Sequence, residues 1–294
     1  MIKKLSSFLL PLAVALTGCS QGADEPAAKG EAEGGMQKVE MALSRASADE
    51  LQAAGISKFT VFIYQVNRRE YTLVEMRECG TSEGRFQLDF PLGETFTTFA
   101  VANADNFTDT ESYENVTVHI DPAARQDVWI SNPVRFSSDK SFSTLDVALR
   151  RVIASVDFQT AETAADIAAV GDFDRLDVTF DHVATSYRVN GAAVNDEKVT
   201  LTVDAASDFK GGFSTFPTTT LADPWTVTIN YFKGGQQVNT SSSALETNEK
   251  FASATHYTVT VPVTDNGFVQ TPWRSASLIP AGARMKMTVE VTPL

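Results

Sequence analysis

Of the two cysteines in this 294-residue chain, Cys19 stands where chemistry is expected. It follows Leu16-Thr17-Gly18, an apolar stretch from Phe8 to Leu16 broken only by Pro11, and Lys3 and Lys4 ahead of that stretch. The stretch is too short for a bilayer core of about 30 Å, which takes roughly 20 apolar residues. The order positive, apolar, small is that of a secretory signal. A plain signal ends in small residues and needs no thiol. A thiol at this point can carry a diacylglycerol through a thioether, and small residues before it let an extended chain enter a peptidase. The expectation is that residues 1–18 are removed, that Cys19 carries the lipid (diacylglycerol, palmitate), and that no other cofactor is needed.

The rest of the chain offers little for catalysis. There is no Gly-x-Ser-x-Gly elbow, no His-Glu-x-x-His and no Gly-rich phosphate loop. His119, His182 and His256 are far apart, each in or beside a strand pattern. Carboxylates are numerous, but nothing singles out a facing pair of the kind a glycosidase uses. Asn103, Asp105, Asn106 and Asp109 crowd one segment, and Asp172, Asp174 and Asp177 another. Oxygen-rich loops can hold calcium; neither has EF-hand spacing, and Asn and Asp are ordinary turn formers. No catalytic residue and no metal site is assigned. Trp129, Trp225 and Trp273 suit either sugar stacking or a core. With Cys19 lipidated, Cys79 has no partner within the chain, so neither a disulfide framework nor a cysteine-based zinc site is available. Cys79 reads as a buried or idle thiol, with an intermolecular disulfide as the other option.

The positioning elements read as strands. Residues 20–36 are small, acidic and Gly/Ala-rich, a flexible tether of 17 residues spanning about 20–25 Å. From residue 37 the apolar period is two. Val39, Met41 and Leu43 alternate with polar neighbours, as do Phe86, Leu88 and Phe90. Further runs are Leu145–Leu149, Leu176–Phe180, Leu201–Val203, Val227–Tyr231, Tyr257–Val263 and Met285–Val291. Phe59 to Val66 is apolar on both faces and suits a central strand. Asn190-Gly191 predicts a type I′ hairpin turn, and Gly234-Gly235 and Asn266-Gly267 are similar. A short helix is expected over Thr163–Val170, ended by Gly171, and a second near Asp109–Asn115.

The fold class is therefore all-β, with sandwiches and short helices only. Removing 18 of 294 residues leaves 276, which suits two domains, 37–150 and 151–294, joined closely near Leu149-Arg150-Arg151-Val152. The net charge of −13 becomes −15 once Lys3 and Lys4 are gone. That opposes nucleic acid as a partner, and it also opposes a body lying flat on an anionic membrane. No later segment reaches 18 consecutive apolar residues.

Leu16-Thr17-Gly18-Cys19 resembles the bacterial lipobox, and Asp24-Glu25 resembles the surface-export signals of Bacteroidetes lipoproteins. Several segments, in order, resemble fimbrillin-type proteins of Bacteroidales. They are Leu43-Ser44-Arg45-Ala46, Phe59–Tyr64, Phe86–Gly93 followed by Phe99–Asn103, Leu149–Val156, and Thr255–Val261. The resemblance implies two transthyretin-like sandwiches with Greek-key-type strand order, in an anchor or stalk subunit of a type V pilus, assembled by strand addition with other pilin subunits and held on the outer membrane. It implies processing after Arg45 in a stalk subunit, and retention of strand and lipid in an anchor. Arg45 is equally an ordinary surface arginine. The strand of Met285, Met287, Val289 and Val291 is either a donor to a neighbouring subunit or a partner within its own domain. The alternative function is a carbohydrate-binding surface lipoprotein; a hydrolase with scattered carboxylates is a third.

Overall fold

A computed structural model describes residues 35–44, 55–80, 85–139, 144–243, 250–264 and 287–294. Cys19, Arg45, Trp273, Met285 and Asn266-Gly267 lie outside these residues. Gly35–Leu294 forms one compact unit.

The first half holds β1 (Met36–Ser44), β2 (Lys58–Asn67), β3 (Glu70–Gly80), β4 (Arg85–Pro91) and β5 (Thr95–Ala102). Then come β6 (Asn106–Thr108), β7 (Thr117–His119), β8 (Trp129–Ser131), β9 (Val134–Ser137) and β10 (Thr144–Arg151). The second half holds β11 (Ala154–Thr160), α1 (Ala164–Val170), β12 (Arg175–Val183), β13 (Ser186–Arg188), β14 (Ala192–Ala193) and β15 (Glu197–Asp204). It ends with β16 (Lys210–Thr215), β17 (Thr226–Lys233), β18 (Gln236–Ser243), β19 (Thr255–Val261) and β20 (Thr288–Pro293). The protein is all-β, as the period-two runs required.

An eight-stranded sheet has the order β3-β2-β5-β8-β10-β1-β4, with β9 paired to β5. Val39 and Met41 of β1, Val61 and Ile63 of β2, Phe96 of β5 and Leu145 and Val147 of β10 share one core. Two four-stranded sheets, β16-β11-β19-β20 and β15-β12-β17-β18, supply another. There Val156 and Phe158 meet Val178, Phe180, Trp225, Ile229 and Val259. Each such side chain contributes about 1.5–3 kcal/mol on burial.

A third core lies between the halves. β2 and β5 are buried on both faces, and their other face sends Phe62, Tyr64, Phe99 and Val101 against Val152, Ile153, Tyr187 and Phe216. A small sheet, β14-β13-β7-β6, takes two strands from each half. His119 ties it together: Nδ1 is 2.8 Å from Ser186 Oγ and Nε2 is 2.9 Å from Thr108 Oγ1. Beside it, the 3₁₀ turn Pro122–Ala124 ends at Arg125, whose guanidinium reaches Asp157 of β11 at 2.5 Å.

Local expectations fare unevenly. α1 forms where its signals stand: Thr163 accepts from Asp166 N, Asp166 reaches back to Thr163, and Gly171 closes the helix at φ 72°. The helix expected near Asp109–Asn115 is absent. That segment makes only isolated turns, Asn115 N to Ser112 O among them, because Asp109 takes φ 54° and Tyr113 is drawn against Phe99 and Tyr64. Asn190-Gly191 is not a type I′ turn. Val189–Gly191 is a three-residue loop in which only Gly191 has positive φ. The two-residue type I′ geometry belongs to Gly234-Gly235, at φ 56° and 82°, closing β17 onto β18.

Candidate functional site

Two strands adjoin the residues singled out in the sequence, and the first is β1. It alternates Val39 and Met41 inward with polar residues outward, which suits a strand with one buried face. It is an inner strand, antiparallel to β4 from Met36↔Pro91 to Ala42↔Arg85 and parallel to β10 from Glu40↔Thr144 to Ser44↔Ala148. Val39 and Met41 are both 0% exposed. Around them stand Leu88 and Phe90 of β4 and Leu145 and Val147 of β10. β1 thus fills a strand-shaped slot with main-chain partners on both sides and an apolar floor for alternate side chains. Its entry is pinned by Leu92 N donating to Gly35 O at 2.9 Å.

The second is β20. It pairs antiparallel with β19 of its own chain, Val289 opposite Val259 and Val291 opposite Tyr257, and it is last in its sheet. Val289 and Met287 are partly buried against the core, while Val291 is 52% exposed. The strand that alternates so cleanly in sequence is therefore a thinly buried edge strand. Its described part pairs within its own chain.

The residues considered for other chemistry have structural tasks. Asn103 Nδ2 donates to Asp127 O, and Asp127 pairs with Arg151. Asp174 accepts from Gly234 N, and Asp177 from Thr202 Oγ1. Among the described residues no group of three or more His, Cys, Asp or Glu is placed to hold a metal ion. His182 bonds Asp196 at 2.9 Å, and His256 lies 3.3 Å from Asp157. Trp225 is fully buried and stacked on Phe251 at 5.1 Å; Trp129 packs against the first core. Cys79 is buried in that core, where a thiol behaves as a small hydrophobe. Burial raises the Tyr64 and Tyr187 hydroxyls above the usual phenol range and pushes Tyr231 up to about 12.

Sequence reasoning missed two features. One is the Arg125–Asp157 pair across the halves, which carries no local signal. The other is the tip of the β2–β3 hairpin, Arg68-Arg69 between Asn67 and Glu70. A dibasic pair flanked by polar residues directly after the apolar run Phe59–Val66 was a legible hint of it.

No protein-family model matches the chain, and no curated protein sequence matches it. Solved structures do. A candidate polysaccharide-binding protein from Bacteroides thetaiotaomicron is 11% identical, with a TM-score of 0.55, covering 88% of this chain and 98% of its own. A candidate cell adhesion protein from Bacteroides eggerthii is 12% identical, with a TM-score of 0.54, covering 88% and 96%. A candidate adhesin from Bacteroides ovatus is 11% identical, with a TM-score of 0.52, covering 86% and 94%. At such identities the likeness is one of fold.

Proposed function

We propose that this chain is a lipid-anchored, cell-surface adhesion protein: an anchor or stalk subunit of a fimbria, joined to other subunits by strand addition and held on the outer membrane through Cys19. The observation that carries this reading is the place of β1. The strand ahead of Arg45 is an inner strand in which Val39 and Met41 are fully buried. Cutting after Arg45 would release that strand with the lipid and open a slot bordered by β4 and β10. An incoming strand would regain main-chain hydrogen bonds on both sides and seat alternate side chains in the floor. β20 has the matching period, and its hold on β19 buries little. The fold shared with adhesion proteins supports the role, which asks for no catalysis.

Mass spectrometry of the protein from its native cell surface tests the proposal. Lipid on Cys19 supports an anchor, and an N-terminus at Ala46 supports a stalk subunit. An unlipidated chain beginning elsewhere sinks both. Arg45→Ala leaving processing and polymerisation unchanged would remove the stalk role.

A carbohydrate-binding role is the second reading, favoured by the candidate polysaccharide-binding protein of the same fold. Trp225 cannot serve it, being sealed in the core. Glycan-array binding lost on substituting the half-buried Trp129 would revive it.

A further inference from the structure

The end of the body at which the tether enters is marked by a chain of hydrogen bonds. Gly35 O accepts from Leu92 N, and Gly93 N and Glu94 N both bond Ser138. The Glu94 carboxylate then accepts from Gln65 Nε2 at 2.5 Å. Two residues past Gln65, roughly 7 Å at strand rise, β2 turns into β3 at Arg68-Arg69. The hairpin tip and Gly35 are therefore at the same end.

The tip is unusual for a two-residue hairpin loop. Its first position has φ 58°, where glycine, asparagine or aspartate is the ordinary choice, yet Arg68 occupies it. Non-glycine residues held at positive φ are worth a functional question. All four residues Asn67–Glu70 are exposed, and no described hydrogen bond or ion pair engages either guanidinium. Met36, the first residue of β1, is 58% exposed at this same end. The acidic groups nearby are Glu70, Glu94 and Asp139; Glu94 is turned onto Gln65.

We propose that the β2–β3 tip is a membrane-facing contact, in which Arg68 and Arg69 meet the phosphates of an anionic lipid surface and hold the anchored body tether-end down. The inference rests on the lipid-anchor reading. Gly35 lies only 16 positions after Cys19 in the sequence, so a body anchored at Cys19 enters the surface region at this end. Screening confines the attraction to roughly 8 Å at physiological salt, so the arginines act on orientation rather than on recruitment. Each contributes about fivefold in favour of the tip-down arrangement.

The test uses the full lipidated protein on vesicles of phosphatidylethanolamine with phosphatidylglycerol, compared with phosphatidylcholine alone. Arginines are modified with phenylglyoxal and read by peptide mass spectrometry. Arg68 and Arg69 are expected to react about fivefold more slowly on the anionic vesicles, with the protection lost in high salt. Arg188, exposed in the central sheet, should react equally on both. Equal labelling of Arg68 and Arg69 on the two vesicles overturns the proposal. The same spectra report the lipid on Cys19. If it is missing, the anchoring reading fails, and the chain coupled at Cys19 to a maleimide phospholipid yields the same two outcomes for the tip.

Discussion

A chain that begins at Ala46 lacks β1, and the consequence can be worked from the structure. Val39 and Met41 are both fully buried, so their loss removes about 3–6 kcal/mol of burial at 1.5–3 kcal/mol each. The edges of β4 and β10 lose main-chain partners over seven and five paired positions. Folded domains hold only about 5–15 kcal/mol in total. The shortened chain should therefore show a lower urea midpoint than the full mature chain, bind an apolar dye, and associate with itself. A peptide of residues 36–44 should restore the midpoint by refilling the slot. A peptide of residues 284–294 should do so as well if β20 is a donor. At a hundred times its Kd a slot-filling peptide contributes about 2.7 kcal/mol. Urea denaturation with each peptide titrated reads the effect. A monomeric Ala46 chain with an unchanged midpoint would refute the reasoning about β1. Rescue by the first peptide and none by the second would remove β20 as donor while leaving the slot intact.

Other expectations are more local. Gly212→Ala places a Cβ 2.8 Å from Val156 O and 3.0 Å from the Arg125 guanidinium carbon; it should cost about 1–3 kcal/mol in urea denaturation and loosen the contact between the halves. Thr163→Ala removes the cap of α1 and should cost about 1 kcal/mol, with hydrogen exchange faster in residues 164–170 and little changed elsewhere. Tyr231 ionises at about 12 when folded, chiefly through burial, against 10 as a free side chain. A raised acid stabilises fully below its unfolded value, so about 3 kcal/mol should be lost as pH rises from 10 to 12. Tyr231→Phe should flatten that alkaline loss in melting curves, at the expense of the Ser241 hydrogen bond.

Much of the strand content is legible along the chain because a half-buried strand writes its burial every second residue. Leu176, Val178 and Phe180, or Val227, Ile229 and Tyr231, announce their faces without knowledge of any partner, and all six are buried. Phe59–Val66, apolar on both faces, had to be an inner strand, and β2 lies between β3 and β5. The α1 cap and the Gly234-Gly235 turn are equally local, since neighbouring residues satisfy them.

Partnership is another matter. Nothing in the period of Val39 and Met41 says that β1 runs parallel to β10, or that β11 runs parallel to β19; those pairings join segments distant in sequence and are chosen by which faces pack together. Asp109–Asn115 carries helix-compatible residues, but Tyr113 contributes more against Phe99 and Tyr64 than a short isolated helix would. Trp225 could have been a sugar platform until packing sealed it against Phe251. The third core, drawing Phe62 and Phe99 from one half and Tyr187 and Phe216 from the other, has no sequence signature, because hydrophobic burial is non-directional and records that a side chain leaves water, not what it meets. By itself the amino-acid sequence determined a chain of alternating strands, and it raised the expectation of a secretory, lipid-receiving start. The tertiary structure alone decided that the strand before Arg45 is an inner one, and that Arg68 and Arg69 share an end with Gly35, since both follow from long-range register that only packing can set.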